Sequence, residues 1–547
     1  EPWATEYAGE PYAGEIAYVD ACIGTALSAL RELGIYDSCL LIITGDHGEM
    51  LGEHGEEEHG YFIYQSALRV PLIVKPPHSR RAVEVDSWAS LTDIVPTLCG
   101  ALGIHSPSQA TGVDLLRGDL AAGRPLYCES LTPTAYGAAS LLGLVSGRLK
   151  LIHTSRPELY DLDADPEELS DLAAARPETA AELQGLLQQA LNRAPAGGAG
   201  SGAELSEGDV ARLEALGYVS AQVGAADFNL GAQRELEDPK DLLAFHLGTQ
   251  AVSRLLAAGR LDEASAALDE LLEQRPRYTW AHRQLGAIAL KHDDAEAAIT
   301  HFTKALALDP DLVVLRADIA RLLLAQGRTE GALAQFRRAL DARPDDGALQ
   351  RDLAVALARV GRHEEAITSY RAARSAGIES AELCRQLGWS LERDGQLDAA
   401  VDEYRRAVQL DPVSPEGYIR LGAALTTLNR MPEAIDVYRR GLEAQPGSVE
   451  LMNNLDWKLA TCRDPGLRDI ERSLRLAEEA DRLSSGQQPV VLDTLAAAYA
   501  AAGHFEQATA AAERALRASS SGSSQLAEQI AGRLALYRQG MPFVDER

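Results

Sequence analysis

A 34-residue period runs through the second half of this 547-residue sequence and restricts what it can fold into. Pro276, Pro310, Pro344, Pro412 and Pro446 fall on one grid, with Ile378 in the empty slot. Ala264, Ala298, Ala332, Ala366, Ala400 and Ala434 form a second column, and Leu268, Phe302, Phe336, Tyr370, Tyr404 and Tyr438 a third. Gly259, Gly327, Gly361 and Gly395 mark a turn column in which Asp293 and Asn429 substitute. Leu285, Ile319, Leu353, Leu387 and Leu421 mark the first helix of each unit. A repeat of this length is a two-helix unit that buries its apolar face only against its neighbours. The alanines let the paired helices approach, the aromatic fills the space between hairpins, and proline ends each second helix. Six full units span 245–448. Residues 449–488 read as a seventh with an insertion around CRDPGLRD, 489–522 as an eighth, and 523–540 as a capping helix.

Period and pattern together resemble the tetratricopeptide repeat. The resemblance implies a solenoid whose concave face, lined by the first helix of each unit, binds a peptide. In the register above, Arg283, Lys291, Arg321, Arg351, Arg359, Arg385, Trp389 and Arg393 face that groove, together with Trp280. Arginine pairs bidentately with carboxylates, so an acidic peptide or C-terminus is the expected ligand. The plainer alternative is that these arginines pair with Asp and Glu of neighbouring repeats.

The sequence has 52 Lys+Arg against 81 Asp+Glu, a net charge of -29. Such a surface repels phosphate backbones and anionic lipid, which argues against nucleic acid and bare membrane as partners. No continuous run approaches the ~18 apolar residues of a membrane span. The six cysteines, Cys22, Cys39, Cys99, Cys128, Cys384 and Cys462, show no metal-binding spacing and read as buried free thiols. The sequence opens on Glu1, so the absence of a targeting segment excludes no compartment.

Residues 1–193 alternate helical and strand patterns, which predicts a multidomain chain: an α/β domain, a connecting segment over 194–244, then the all-α array over 245–522 with a cap and tail to 547. The stretch APAGGAGSGA (194–203) reads as a flexible linker, and 205–219 as a short amphipathic helix. In the first domain a helix over 15–34 leads into CLLIIT (39–44), a continuous apolar run that reads as a buried parallel strand. Strands are expected at 70–74, 125–129, 141–145 and 149–153, and a helix at 90–103. Asp46 and His47 stand directly after CLLIIT on a glycine-flanked turn. Chemistry in open α/β sheets sits at such strand ends. A carboxylate beside an imidazole suits zinc or manganese better than calcium. A turn aspartate and a hydrogen-bonded histidine would give the same spacing.

The run Asp46-His47-Gly48-Glu49, Leu51-Gly52-Glu53, His59-Gly60 and LRVPLIV (68–74) resembles the sulfatase branch of the alkaline-phosphatase superfamily, as do residues 18–37, 91–98 and 158–173. The resemblance covers residues 10–180. It implies that Asp46 and His47 bind a divalent metal, and that a sulfate or phosphate ester is cleaved through a covalent intermediate. It also points to a location outside the cytoplasm. Two departures stand out: His47 where the usual sulfatases carry Asn, and His59 where they place a sulfate-holding Lys. Both make the loop look like the phosphoethanolamine transferases of the same superfamily, and His59 is then a catalytic residue that binds the anion or protonates the leaving group. His54 and the acidic side chains Glu49, Glu53, Glu56, Glu57 and Glu58 read as loop structure and solvated charge. Tyr64, Arg69 and His153 read as packing positions. The family's nucleophile motif C-x-P-S-R has no match upstream of Asp46. The sequence therefore reads as part of an active parent enzyme, the alternative being an inert remnant on a repeat scaffold.

Overall fold

The computed structural model describes residues 7, 9–80, 82–117, 123–193, 228–519 and 524–545. The linker expected at 194–203 and the helix expected at 205–219 lie outside these. The chain divides into two compact units, Glu1–Ala281 and His282–Arg547.

The first unit opens with helix α1 (Pro11–Glu32), which starts on a proline in its first turn and gives way to Leu33 and then Gly34 at φ 69°. Strand β1 (Leu41–Thr44) pairs with β2 (Leu72–Lys75). The pairing is antiparallel, from Leu41 opposite Lys75 to Thr44 opposite Leu72, and β1 is only half-buried. This corrects the expected buried parallel strand. An apolar β-branched run specifies a strand but not the direction of its partner. Helix α2 (Ile94–Leu102) follows a capping box in which Ser90 and Asp93 satisfy each other's backbone N–H groups. Strands β3 (Leu126–Ser130), β4 (Leu141–Ser146) and β5 (Leu149–His153), at the expected positions, form with β6 (Glu158–Asp161) a small antiparallel sheet in simple sequence order. Helix α3 (Pro177–Arg193) packs Leu183 and Leu187 on Leu142, Leu144, Leu151 and Leu159 of that sheet.

Helix α1 also corrects the reading of membrane-spanning potential. At 22 residues it is long and apolar enough to cross a bilayer by length and composition. Glu15 and Asp20 break the run into short apolar pieces, which hides the property from a search for unbroken stretches. Within the unit only Gly14 of this helix is buried, and Ile16, Tyr18 and Val19 are more than half exposed. Cys22 lies exposed on the same helix, whereas Cys99, Cys384 and Cys462 are buried as expected.

Residues 228–242 are no free connector. Leu230 is buried in the core of the sheet, and its carbonyl accepts a 3.1 Å bond from the ring of His153. The Asp238 carboxylate accepts from the Thr154 hydroxyl (2.8 Å) and the Arg156 amide (3.0 Å). The first hairpin of the array, α4 (Leu243–Ala257) and α5 (Leu261–Gln274), follows directly and belongs to this unit. His246 of α4 is buried, stacks on Tyr61 with ring centroids 4.3 Å apart, and shares a 2.8 Å hydrogen bond with the Tyr136 hydroxyl.

The second unit is built of paired helices from Val313–Ala325 and Thr329–Ala342 through to Pro489–Ala501 and Phe505–Ser519, with a last helix at Ser524–Arg538. The columns read from the sequence have physical counterparts here. Ala298, Ala332, Ala366, Ala400 and Ala434 are each 0% exposed, and the aromatic column is buried beside them. The turn column is left-handed throughout, with φ of 75° at Gly327, 77° at Gly361 and 81° at Gly395. Asp293 and Asn429 hold the same region at φ 59° and 56°, so the column selects for backbone conformation.

Burial pushes the His246 imidazole down from 6.5 to about 4. The fold holds this ring neutral, so its contribution is complete above pH 6.5 and is lost as the pH falls through 4. This one group is expected to remove about 3 kcal/mol from the first unit across that window, against the opposite contribution of any buried carboxyl titrating there. His246→Phe, followed by denaturant unfolding at successive pH values, should shift the pH dependence by that amount relative to wild type; an unchanged slope would place the titration elsewhere.

Candidate functional site

The residues after β1 turn sharply because the backbone leaves no alternative. A Cβ at Gly48 would lie 2.1 Å from the Ser66 carbonyl oxygen, and the Gly48 amide donates to the Ala67 carbonyl at 2.7 Å. The turn brings Asp46 and His47 together, with Asp46 Oδ2 3.8 Å from His47 Nε2. His47 Nδ1 donates to the Gly48 carbonyl at 2.8 Å. A carbonyl can only accept, so Nδ1 carries a proton, and Nε2, which faces the carboxylate, is the ring atom that the neutral form offers to a ligand. The Asp46 side chain is 86% exposed. Its carboxyl is held below the usual range by its own backbone N–H, then by the charge of His47 and the His47 amide.

His59 returns to the same place. Its ring stacks on His47 with centroids 3.8 Å apart, and its Nδ1 donates to Glu49 at 3.1 Å. Ligand-capable atoms of His47, Glu49 and His59 lie within 4.8 Å of one another, the one such grouping among the described residues. Two imidazoles and a carboxylate, with the Asp46 carboxylate alongside, are a donor set able to hold a divalent metal ion. Glu49 had been read as solvated charge; its approach to His59 from the next turn was not visible in spacing. Glu56 had the same reading and is fully buried, accepting from the amides of Tyr61 (3.0 Å) and Phe62 (2.9 Å). Burial, outweighing these two bonds, pushes its carboxyl up to about 7.

The loop is anchored from below. Tyr61, Phe62, Ile63 and Tyr64 are all buried. Lys150 of β5, fully buried, donates to the Ile63 carbonyl and forms a 2.7 Å ion pair with the buried Glu168, which in turn accepts from the Gln65 amide. The Gly60 carbonyl accepts from the Ser130 (2.8 Å) and Thr132 (2.7 Å) hydroxyls. His54 is structural: it stacks on Tyr64 at 3.5 Å and donates to the Glu167 carbonyl at 3.0 Å.

Residues 7–104 match the Sulfatase family model, and 289–335, 317–381 and 385–449 match Tetratricopeptide repeat models. The chain joins a sulfatase domain to tetratricopeptide repeats. Over 195 residues it is 31% identical to arylsulfatase K of Bos taurus, covering 33% of this chain and 36% of that protein. A multifunctional alkaline phosphatase superfamily protein, PehA of Trinickia caryophylli, is 31% identical over 204 residues, 33% of this chain and 39% of that one. An N-acetylglucosamine-6-O-sulfatase of Bacteroides thetaiotaomicron is 28% identical over 191 residues, 31% and 33% of the two chains. The chain thus spans about a third of the length of the curated relatives it matches. Solved structures similar to it are repeat proteins. The C-terminal part of one from Cytophaga hutchinsonii has a TM-score of 0.39 at 13% identity, covering 45% of this chain and 98% of that one. YrrB, described as having an unusual peptide-binding site, has a TM-score of 0.30 at 23% identity, covering 35% and 95%.

In the repeat array many of the arginines expected to face a ligand are engaged within the protein. Arg321 bonds Asp318 and Asp352 at 2.8 Å each, Arg351 bonds Asp352 at 2.8 Å, and Arg385 pairs with Glu382 and, at 3.5 Å, with Glu416. Arg359 donates to the Leu324 carbonyl at 3.3 Å. Lys291 and Arg393 are exposed, and Arg283 is half-buried. Arg359, Arg385 and Trp389 share a cavity of about 240 Å³ with Arg420, which lies outside the set expected to face the groove.

Breaking the ion pair under the loop should be costly, because it strands a buried carboxylate. Lys150→Met is expected to destabilise the first unit by about 3–5 kcal/mol, read by chemical denaturation; a loss under about 1 kcal/mol would mean that Glu168 finds another partner.

Proposed function

We propose that the sulfatase segment binds a divalent transition metal through Asp46 and His47 and serves the hydrolysis of sulfuric esters, with the repeat array recruiting an acidic peptide. The observation that carries this reading is the convergence of the Asp46 carboxylate and the free Nε2 of His47, with His59 stacked against them. A metal held there would supply positive charge for the ester oxygens and for an attacking oxygen. Zinc or manganese fits an imidazole-containing donor set better than calcium does. His59, its Nδ1 fixed by Glu49, presents Nε2 to bind the transferring anion or to protonate the leaving oxygen. Glu49 is available either to hold that ring or to complete the donor set. The attacking oxygen comes from outside this loop.

A second reading, phosphoryl transfer of the phosphoethanolamine type, is favoured by the two histidines and by the similarity to a multifunctional alkaline phosphatase superfamily protein. A third, an inert domain on a scaffold, follows if no nucleophile reaches the site. Calorimetric titration of the metal-stripped protein with zinc and manganese should show one site, weakened at least tenfold by His47→Ala. Absence of binding would end the metal reading. Turnover of an aryl sulfate faster than a phosphodiester supports the first reading and the reverse order the second. A bound metal with neither activity leaves the scaffold.

For the array, the cavity beside Trp389, with Arg359 bonded there to the Leu324 carbonyl and Arg393 exposed, supports an acidic peptide. Arg359→Glu combined with Arg393→Glu should weaken binding of an acidic peptide library at low salt by about tenfold, measured by fluorescence anisotropy. Equal binding by wild type and variant would assign the arginines to the repeat framework.

A further inference from the structure

Helix α4 belongs by pattern to the repeat array, yet it packs on the loop that carries His59. Its Gln250 donates to Glu58 at 3.0 Å, and its Arg254 donates to the same carboxylate at 3.2 Å. Two residues beyond His59, the fully buried Tyr61 stacks on His246 of α4, and its hydroxyl donates to the Pro239 carbonyl at 2.7 Å. On the other side, the Glu58 carbonyl accepts from the amide of Met50, which is itself 0% exposed. His59 therefore lies between one residue bonded to α4 through its side chain and another packed against α4 through its ring. The Glu58 backbone meanwhile ties the arrangement to the strand end bearing Asp46 and His47.

We propose that the first hairpin of the array is a positioning element of the metal loop, with Gln250 and Arg254 acting on His59 through Glu58. The inference rests on the reading of Asp46, His47 and His59 as a metal and anion site. Arg254 and Glu58 are each about half exposed, at 57% and 43%, so the pair adds little to global stability. Its effect is local: a carboxylate held by two donors on a rigid helix removes freedom from the neighbouring backbone. The first hairpin is then part of how the site is built, and loss of its contacts to Glu58 frees the loop.

The test uses the full chain with Gln250→Ala and Arg254→Ala combined, and Arg254→Lys as the conservative control. Hydrogen exchange over residues 50–62 should quicken up to about fivefold in the double variant, the range expected for an exposed charged pair, while the sheet over 141–153 is unchanged. Zinc affinity should fall by a similar factor, and Arg254→Lys should recover part of both. Unchanged exchange in the loop overturns the proposal. If wild type binds no zinc, the metal reading fails, but exchange still decides whether α4 positions the loop. Faster exchange with unchanged zinc affinity would limit α4 to packing and overturn its role at the site.

Discussion

The burial of four consecutive residues, Tyr61 to Tyr64, underlies most of what the first unit does. They fix an acidic and glycine-rich loop that has little packing of its own. The Lys150–Glu168 pair lies beneath them, Glu56 caps their amides, and His246 covers Tyr61. Most of the polar groups taken out of water here have a hydrogen-bonding or ionic partner, the Nε2 of His246 being an exception. Such a base allows exposed histidines and carboxylates to keep fixed positions, as binding an ion with short, directional bonds requires.

The array solves a different problem. Each two-helix unit is too small to bury its own apolar face, so stability comes from stacking. Gly388 and Gly422 show how tight the stacking is: a Cβ there would approach Tyr404 and Tyr438 to 2.7 and 2.4 Å. The same economy governs charge. Arginines on the first helices are partly neutralised by Asp and Glu of the same or the next unit.

The repeat was legible because its columns report backbone and packing needs that recur unchanged: left-handed turns, close helix approach, aromatic filling. The strands of the antiparallel sheet were legible as short apolar runs, such as LLGLV and LKLIH, that fall on β4 and β5. Asp46 and His47 stood out because the chemistry follows a strand end. Glu49 and Glu56 did not, since five glutamates in one loop look alike until tertiary contacts separate the one beside a histidine from the one under a tyrosine. The direction of β1 was misread because nothing local to CLLIIT encodes its partner. Residues 228–242 looked like a connector because their anchors, the carbonyl of Leu230 and the carboxylate of Asp238, act through distant residues. The apolar character of α1 was masked in the sequence because Glu15 and Asp20 interrupt its apolar run.

All of this converges on whether the strand-end loop grips a cation through imidazole. X-ray absorption at the metal edge, on the full chain loaded with one equivalent of zinc, reads the ligands directly. The account predicts a low-coordinate nitrogen and oxygen shell, with the multiple-scattering signature of histidine rings that diminishes in His47→Ala. A spectrum of oxygen ligands alone, unaltered by that substitution, would contradict it.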